Sequence, residues 1–130
     1  MAAENFRNST VYKKAFALAM DIFMISKSFP KEEIYSLTDQ ITRSSRSVCS
    51  CIGEACRKRQ YEAYFVNKTT DADMENTETR VWLDFAAACC YITKDVWTDL
   101  ELKSIEVGKL LNHMIENPKK YQRKKALIVN

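Results

Sequence analysis

Apolar side chains at Val11, Ala15, Leu18, Ile22, Ile25 and Phe29 recur at alternating intervals of four and three. That spacing keeps one side of an α-helix turned toward a core, whereas a strand needs a period of two. Asn8, Ser9 or Thr10 can cap the start of this helix. Pro30 stops it, because the residue before a proline is pushed out of helical geometry. The same period returns three times. A second seam runs through Leu37, Ile41, Val48, Ile52 and Ala55, with the small Ser44 and Ser45 permitting close helix approach. A third carries Phe65, Thr69, Ala72, Asn76, Thr79, Leu83, Ala86 and Cys90, its first half unusually polar. A fourth holds Leu100, Val107, Leu110, Leu111, Met114 and Ile115, and Asn117-Pro118 ends it. The predicted helices are about 9–29, 31–58, 60–92 and 99–117, with Thr93 to Asp99 read as a loop and a basic tail over 118–130.

Two glycines and two prolines in 130 residues leave room for few tight turns. Four helices joined by short connections predict one all-α domain, an antiparallel up-down-up-down four-helix bundle. The apolar share of 46% suffices for a core, and 28% charged residues lie far from the signature of disorder. No run approaches the ~18 to 20 apolar residues of a membrane span, and the first ten residues lack the apolar segment of a signal peptide. A cytoplasmic protein without membrane contact is therefore expected. The five cysteines, Cys49, Cys51, Cys56, Cys89 and Cys90, are odd in number and sit within helical stretches. They read as reduced, mostly core-filling thiols.

Chemistry-bearing patterns are few. Helical bundles hold di-iron centres with inward glutamates and Glu-x-x-His pairs, but His113 is the sole histidine and no such pair exists. Cys49 and Cys51, two apart on a helix, diverge, whereas zinc prefers paired cysteines on a turn. No base accompanies a nucleophile, and Gly53 and Gly108 stand alone rather than in a phosphate loop. No enzyme activity, cofactor, metal or small-molecule substrate is expected.

The polar positions say more. Gln40, Arg43, Ser47 and Glu54 share a stripe of the second helix, as Asp71, Glu75 and Glu78 do on the third. Folding back near residues 59 and 60 places Arg43 opposite Glu75 to Thr79, where a buried bidentate ion pair is expected to fix register or subunit pairing. Net charge is only +3, yet Arg57, Lys58 and Arg59 cluster where the second helix ends, and Lys119, Lys120, Arg123, Lys124 and Lys125 crowd the tail. Either cluster could meet phosphate, although cations also favour helix C-termini and charged tails are commonly just solvated. Tyr61, Tyr64 and Phe65 follow the first cluster and could stack bases, but at helical spacing Tyr61 and Phe65 are more often core. Trp82 and Trp97 read as packing or subunit-interface residues.

The run Ser28-Phe29-Pro30-Lys31-Glu32-Glu33, then Leu37, Gln40, Arg43, Ser47-Val48, Ile52 and Glu54 with Arg57 behind it, resembles a known shared core. It is that of the four-helix-bundle proteins encoded by intervening sequences in bacterial large-subunit ribosomal RNA genes. Glu75-Asn76-Thr77-Glu78-Thr79, followed by Val81-Trp82-Leu83-Asp84-Phe85-Ala86 and Tyr91-Ile92, resembles one branch of that family. The matches span about residues 11 to 115, and none of the motifs is catalytic. The resemblance implies an antiparallel protomer that assembles with copies of itself into a ring-like homopentamer. A related group, the accessory proteins of diversity-generating retroelements, binds RNA and a reverse transcriptase, so RNA or another protein are the implied further partners. The chain departs from the family's usual Asn-Ile-Ala-Glu-Gly with Cys51-Ile52-Gly53-Glu54-Ala55, which changes side-chain size at a packing position.

Overall fold

The computed structural model describes residues 5–122 and contains four α-helices with no strand among them. Ser9 caps α1 (Thr10–Ser26), its hydroxyl accepting from the Tyr12 amide at 3.3 Å. The helix stops before residue 29. The amides of Ser28 and Phe29 bond to Ile25 and Ser26, tightening the last turn ahead of Pro30. Phe29 nonetheless stays buried, its ring 5.6 Å from that of Tyr91.

The second helix, α2 (Leu37–Arg57), begins six residues later than residue 31. Pro30 is extended, Lys31–Glu33 forms a single 3-10 turn, and Ser36 leaves helical geometry with φ −125° and ψ −101°. The Glu33 carboxylate holds this break. It accepts from the Ser36 hydroxyl, from the Leu37 amide at 3.4 Å and from the Tyr91 hydroxyl at 2.9 Å. These bonds, led by that of Ser36, hold the Glu33 carboxyl below its ordinary value, and the bond from Tyr91 pushes the phenol up to about 12.

The third helix, α3 (Glu62–Ala88), is shorter than the predicted 60–92 at both ends. Its end is a paired-bond cap: the Tyr91 amide bonds to the Ala86 carbonyl at 2.8 Å and the Cys90 amide to that of Ala87 at 3.0 Å. The motif requires a left-handed residue, and Cys90 supplies it at φ 62° where glycine is usual. Cys90 is exposed, not in the core as its seam position suggested. Cys90→Gly should therefore raise stability by about 0.5–1 kcal/mol in urea unfolding, with unchanged helical circular dichroism. A loss of stability would show that the thiol does more than tolerate the turn.

The last helix, α4 (Lys94–Glu116), includes most of the stretch read as a loop. Thr93 is its cap, accepting from the Val96 amide at 3.2 Å, and Asp95 complements the positive end of the helix. The period was hidden because Val96 and Trp97 are only half-buried at the rim of the core.

Helix α1 packs on α2 and α4, and α3 on the same two, so α1 and α3 are diagonal in the bundle. Phe65, Ile22, Ile41, Ile52, Leu83, Leu111 and Met114 are fully buried between them. The buried hydroxyls and the amide of α3's polar half find partners within the bundle. The Ser44 and Thr79 hydroxyls meet at 2.8 Å, and Asn76 exchanges two hydrogen bonds with Ser104, at 2.9 and 3.0 Å.

Candidate interaction surfaces

The expected ion pair exists in a weaker form. Arg43 Nη2 donates to Glu78 Oε1 at 3.1 Å and to Gln40 Oε1 at 3.0 Å, while the Trp82 indole donates to the same Glu78 oxygen at 3.3 Å. The pair uses one nitrogen, and the Arg43 side chain is 50% exposed, so it is neither bidentate nor buried. The long side chain reaches water across the α2–α3 crevice, and such a pair is worth at most about 1 kcal/mol. Glu54 stands apart, 2.8 Å from Lys68 Nζ, which also lies 3.7 Å from Asp71.

Glu75 has one buried oxygen with no hydrogen-bond partner. Burial first, and then the charge of Glu78, raises its pKa, with Arg43 pulling the other way. A raised carboxyl pKa means that the folded chain binds this proton more tightly than the unfolded one, so ionised Glu75 weakens the fold at neutral pH. Glu75→Gln should raise Tm at pH 7, and the gain should shrink as the pH falls through the raised value toward 4.5. A gain independent of pH would contradict that origin.

The described parts of the two basic clusters lie at the same end of the bundle. Arg57 and Lys58 are exposed where α2 ends, and the Lys58 ammonium lies 5.4 and 5.6 Å from the rings of Tyr61 and Tyr64. Lys119 and Lys120 occupy a 3-10 turn, Pro118–Tyr121, that packs on α3 and α4. Tyr121 anchors it, with its ring 6.0 Å from that of Phe65 and its hydroxyl 2.7 Å from His113 Nδ1. Arg59 does not join them. It is 4% exposed, turned inward so that Nη1 donates to the Cys56 carbonyl at 3.0 Å, while Nη2 has no partner. Arg123, Lys124 and Lys125 fall outside the described residues. Tyr61 and Tyr64 are exposed, correcting the core reading of Tyr61, whereas Phe65 is fully buried.

Two apolar surfaces went unpredicted. On α1, Phe16, Met20 and Met24 are each about half exposed at intervals of four. Phe16 and Met20, with Phe6 and Tyr12, border a groove of about 570 Å³ against α2, whose wall includes Gly53, Arg46, Glu54 and Arg57. Gly53 has no Cβ to narrow it, and the Phe6 ring lies 3.6 Å from where one would be. On α3, Met74, Val81 and Phe85 are exposed along the outer face, Phe85 beside Trp82. The signal was present in the sequence as a second apolar period on helices that already had a core seam.

No described helix is long and apolar enough to cross a membrane, and no group of three or more metal-ligating side chains gathers among the described residues. The cysteines are all free; Cys51 and Cys56 are buried, Cys89 and Cys90 exposed. Burial pushes the half-buried Cys49 thiol up to about 11.

No curated protein matches the chain significantly. A crystal structure of a protein of unknown function from the S23 ribosomal protein family of Bacteroides thetaiotaomicron superposes with a TM-score of 0.75 at 30% identity. The alignment covers 88% of this chain and 99% of that one. The family model of the 23S rRNA-intervening sequence protein matches residues 7–113, nearly the whole four-helix bundle, and the chain belongs to that family.

Proposed function

We propose that the chain is a non-enzymatic cytoplasmic scaffold that assembles with copies of itself into a closed ring, five copies being the number the family resemblance suggests. The observation that carries this reading is the pair of exposed apolar surfaces, Phe16, Met20 and Met24 on α1 and Met74, Val81 and Phe85 on α3. Exposed apolar side chains gathered on one face of a helix suit an interaction site. Two different surfaces on diagonal helices suit a head-to-tail contact, the type that generates rings. Light scattering of the full chain should give a single multiple of the 15.1 kDa protomer mass. The Phe16→Ser, Met20→Ser double variant should keep the helical spectrum and lose the multiple. A wild-type monomer at every concentration would sink the reading.

A second reading, an RNA-binding adaptor, is favoured by Arg57 and Lys58 beside two exposed tyrosines, at the end of the bundle that also carries Lys119 and Lys120. A ring would repeat this end around one axis, turning weak phosphate contacts into avid ones despite the low net charge. Anisotropy of a labelled structured RNA should then show binding that falls steeply with added salt and is lost on neutralising Arg57 and Lys58. Lack of binding at low salt would remove this reading and leave the scaffold intact.

A further inference from the structure

We infer that the self-contact is between two specific and unlike surfaces: the α1–α2 groove of one copy receives the outer stripe of α3 from the next. The inference rests on the self-assembly reading and adds which residues meet. The first ground is shape. The groove has apolar walls from Phe16 and Met20, and the α3 stripe offers Val81 and Phe85 at a spacing of four, the ridge that an apolar trough between helices accommodates.

The second ground is charge. Arg46 and Arg57 line the groove with one carboxylate, Glu54, which is paired with Lys68, and neither arginine has an ion pair among the described residues. Lys27 and Arg46 lie instead over the Phe23 ring, at 4.8 and 5.3 Å. The α3 stripe is bordered by carboxylates. Glu75 follows it on the α2 side with Asp71 and Glu78, which are partly offset by Lys68 and Arg43, and Asp84 lies toward α4, where the Trp97 indole donates to it at 3.0 Å. A cationic groove and an anionic ridge attract each other and repel their own kind, so groove-to-groove and ridge-to-ridge pairing are both disfavoured.

The third ground is direction. The groove opens between α1 and α2, whereas the stripe faces outward from α3, so the two surfaces are less than a half-turn apart around the bundle. Repeated contact then curves toward closure instead of extending as a straight filament.

Complementation tests this directly. One full-length variant, Met20→Asp with Arg46→Glu, spoils only the groove; another, Val81→Lys with Phe85→Lys, spoils only the stripe. All four residues are exposed, and circular dichroism checks that both variants stay helical. Milder versions, Met20→Gln and Phe85→Gln, serve if either fails to fold. Each variant alone should have the protomer mass. An equimolar mixture should form a heterodimer and nothing larger, because one intact groove and one intact stripe remain per pair. If either variant alone retains the wild-type mass, or if the mixture stays monomeric while the wild type assembles, the assignment of these surfaces is wrong although self-assembly stands. A monomeric wild type would instead defeat the underlying reading.

Discussion

Phe65→Ala should destabilise the protomer by about 3–5 kcal/mol, lowering Tm by roughly 10 °C or more. Phe65 is fully buried, and no neighbour can collapse into its place without dismantling the end of the bundle, because its ring packs against that of Tyr121 at 6.0 Å. Domains of this kind have ~5–15 kcal/mol of stability in total, so the loss is a large fraction of it. The consequence reaches beyond stability. Tyr121 holds the turn bearing Lys119 and Lys120 against α3, and removing its stacking partner should loosen that turn first. Hydrogen exchange should accordingly report lost protection at residues 118–121 in conditions where α2 remains protected. As a contrast, Phe85→Ala, a change of the same chemistry at a 54% exposed site, should alter protomer stability by no more than about 0.5 kcal/mol. Equal losses in urea unfolding for the two variants would contradict the core assignment.

The second large effect is expected at Asn76. Its Nδ2 donates to the Ser104 carbonyl at 2.9 Å and its Oδ1 accepts from the Ser104 hydroxyl at 3.0 Å, tying α3 to α4 inside the bundle. Gly108 lies beside the pair, where a Cβ would sit in close contact at 3.4 Å from Nδ2. Asn76→Ala removes both bonds and opens a void, which should cost about 2–3 kcal/mol. Ser104→Ala should cost less, because only one bond is lost. In the double variant the second change should add little, as the hydroxyl then has no amide to serve, and a coupling of about 1 kcal/mol is expected. Strict additivity in urea unfolding would mean that the pair is not the unit that joins the helices.

The helical seams were legible because each is a long stretch with one apolar period. Val11, Ala15, Leu18 and Ile22 are buried as that period requires, and so are Leu37, Ile41, Val48, Ile52 and Ala55. The ends were less legible, for reasons that lie outside the period. Nothing local announces that a Glu33 carboxylate will hold the α2 start open with help from Tyr91, more than fifty residues away. Likewise a cysteine in the left-handed position of a helix cap carries no glycine signal. At the candidate surfaces, the basic residues were visible as runs, but their place at one end depended on the turn carrying Tyr121. The inward turn of Arg59 also depended on packing, since a run of three cations looks uniform until one is seen to face Cys56. The apolar stripes were hidden for the opposite reason. Phe16, Met20, Val81 and Phe85 lie on helices that already have a core face, and a second apolar period beside a complete first one is not needed to specify the helix.

The claim that unites these observations is head-to-tail self-assembly of a bundle whose two apolar surfaces are unlike. Native mass spectrometry of the wild-type chain at micromolar concentration tests it most directly, because it counts copies. A single closed stoichiometry, with five copies expected and no ladder of larger species, is the predicted result. A monomer alone, or an open series of masses without a preferred count, would contradict it.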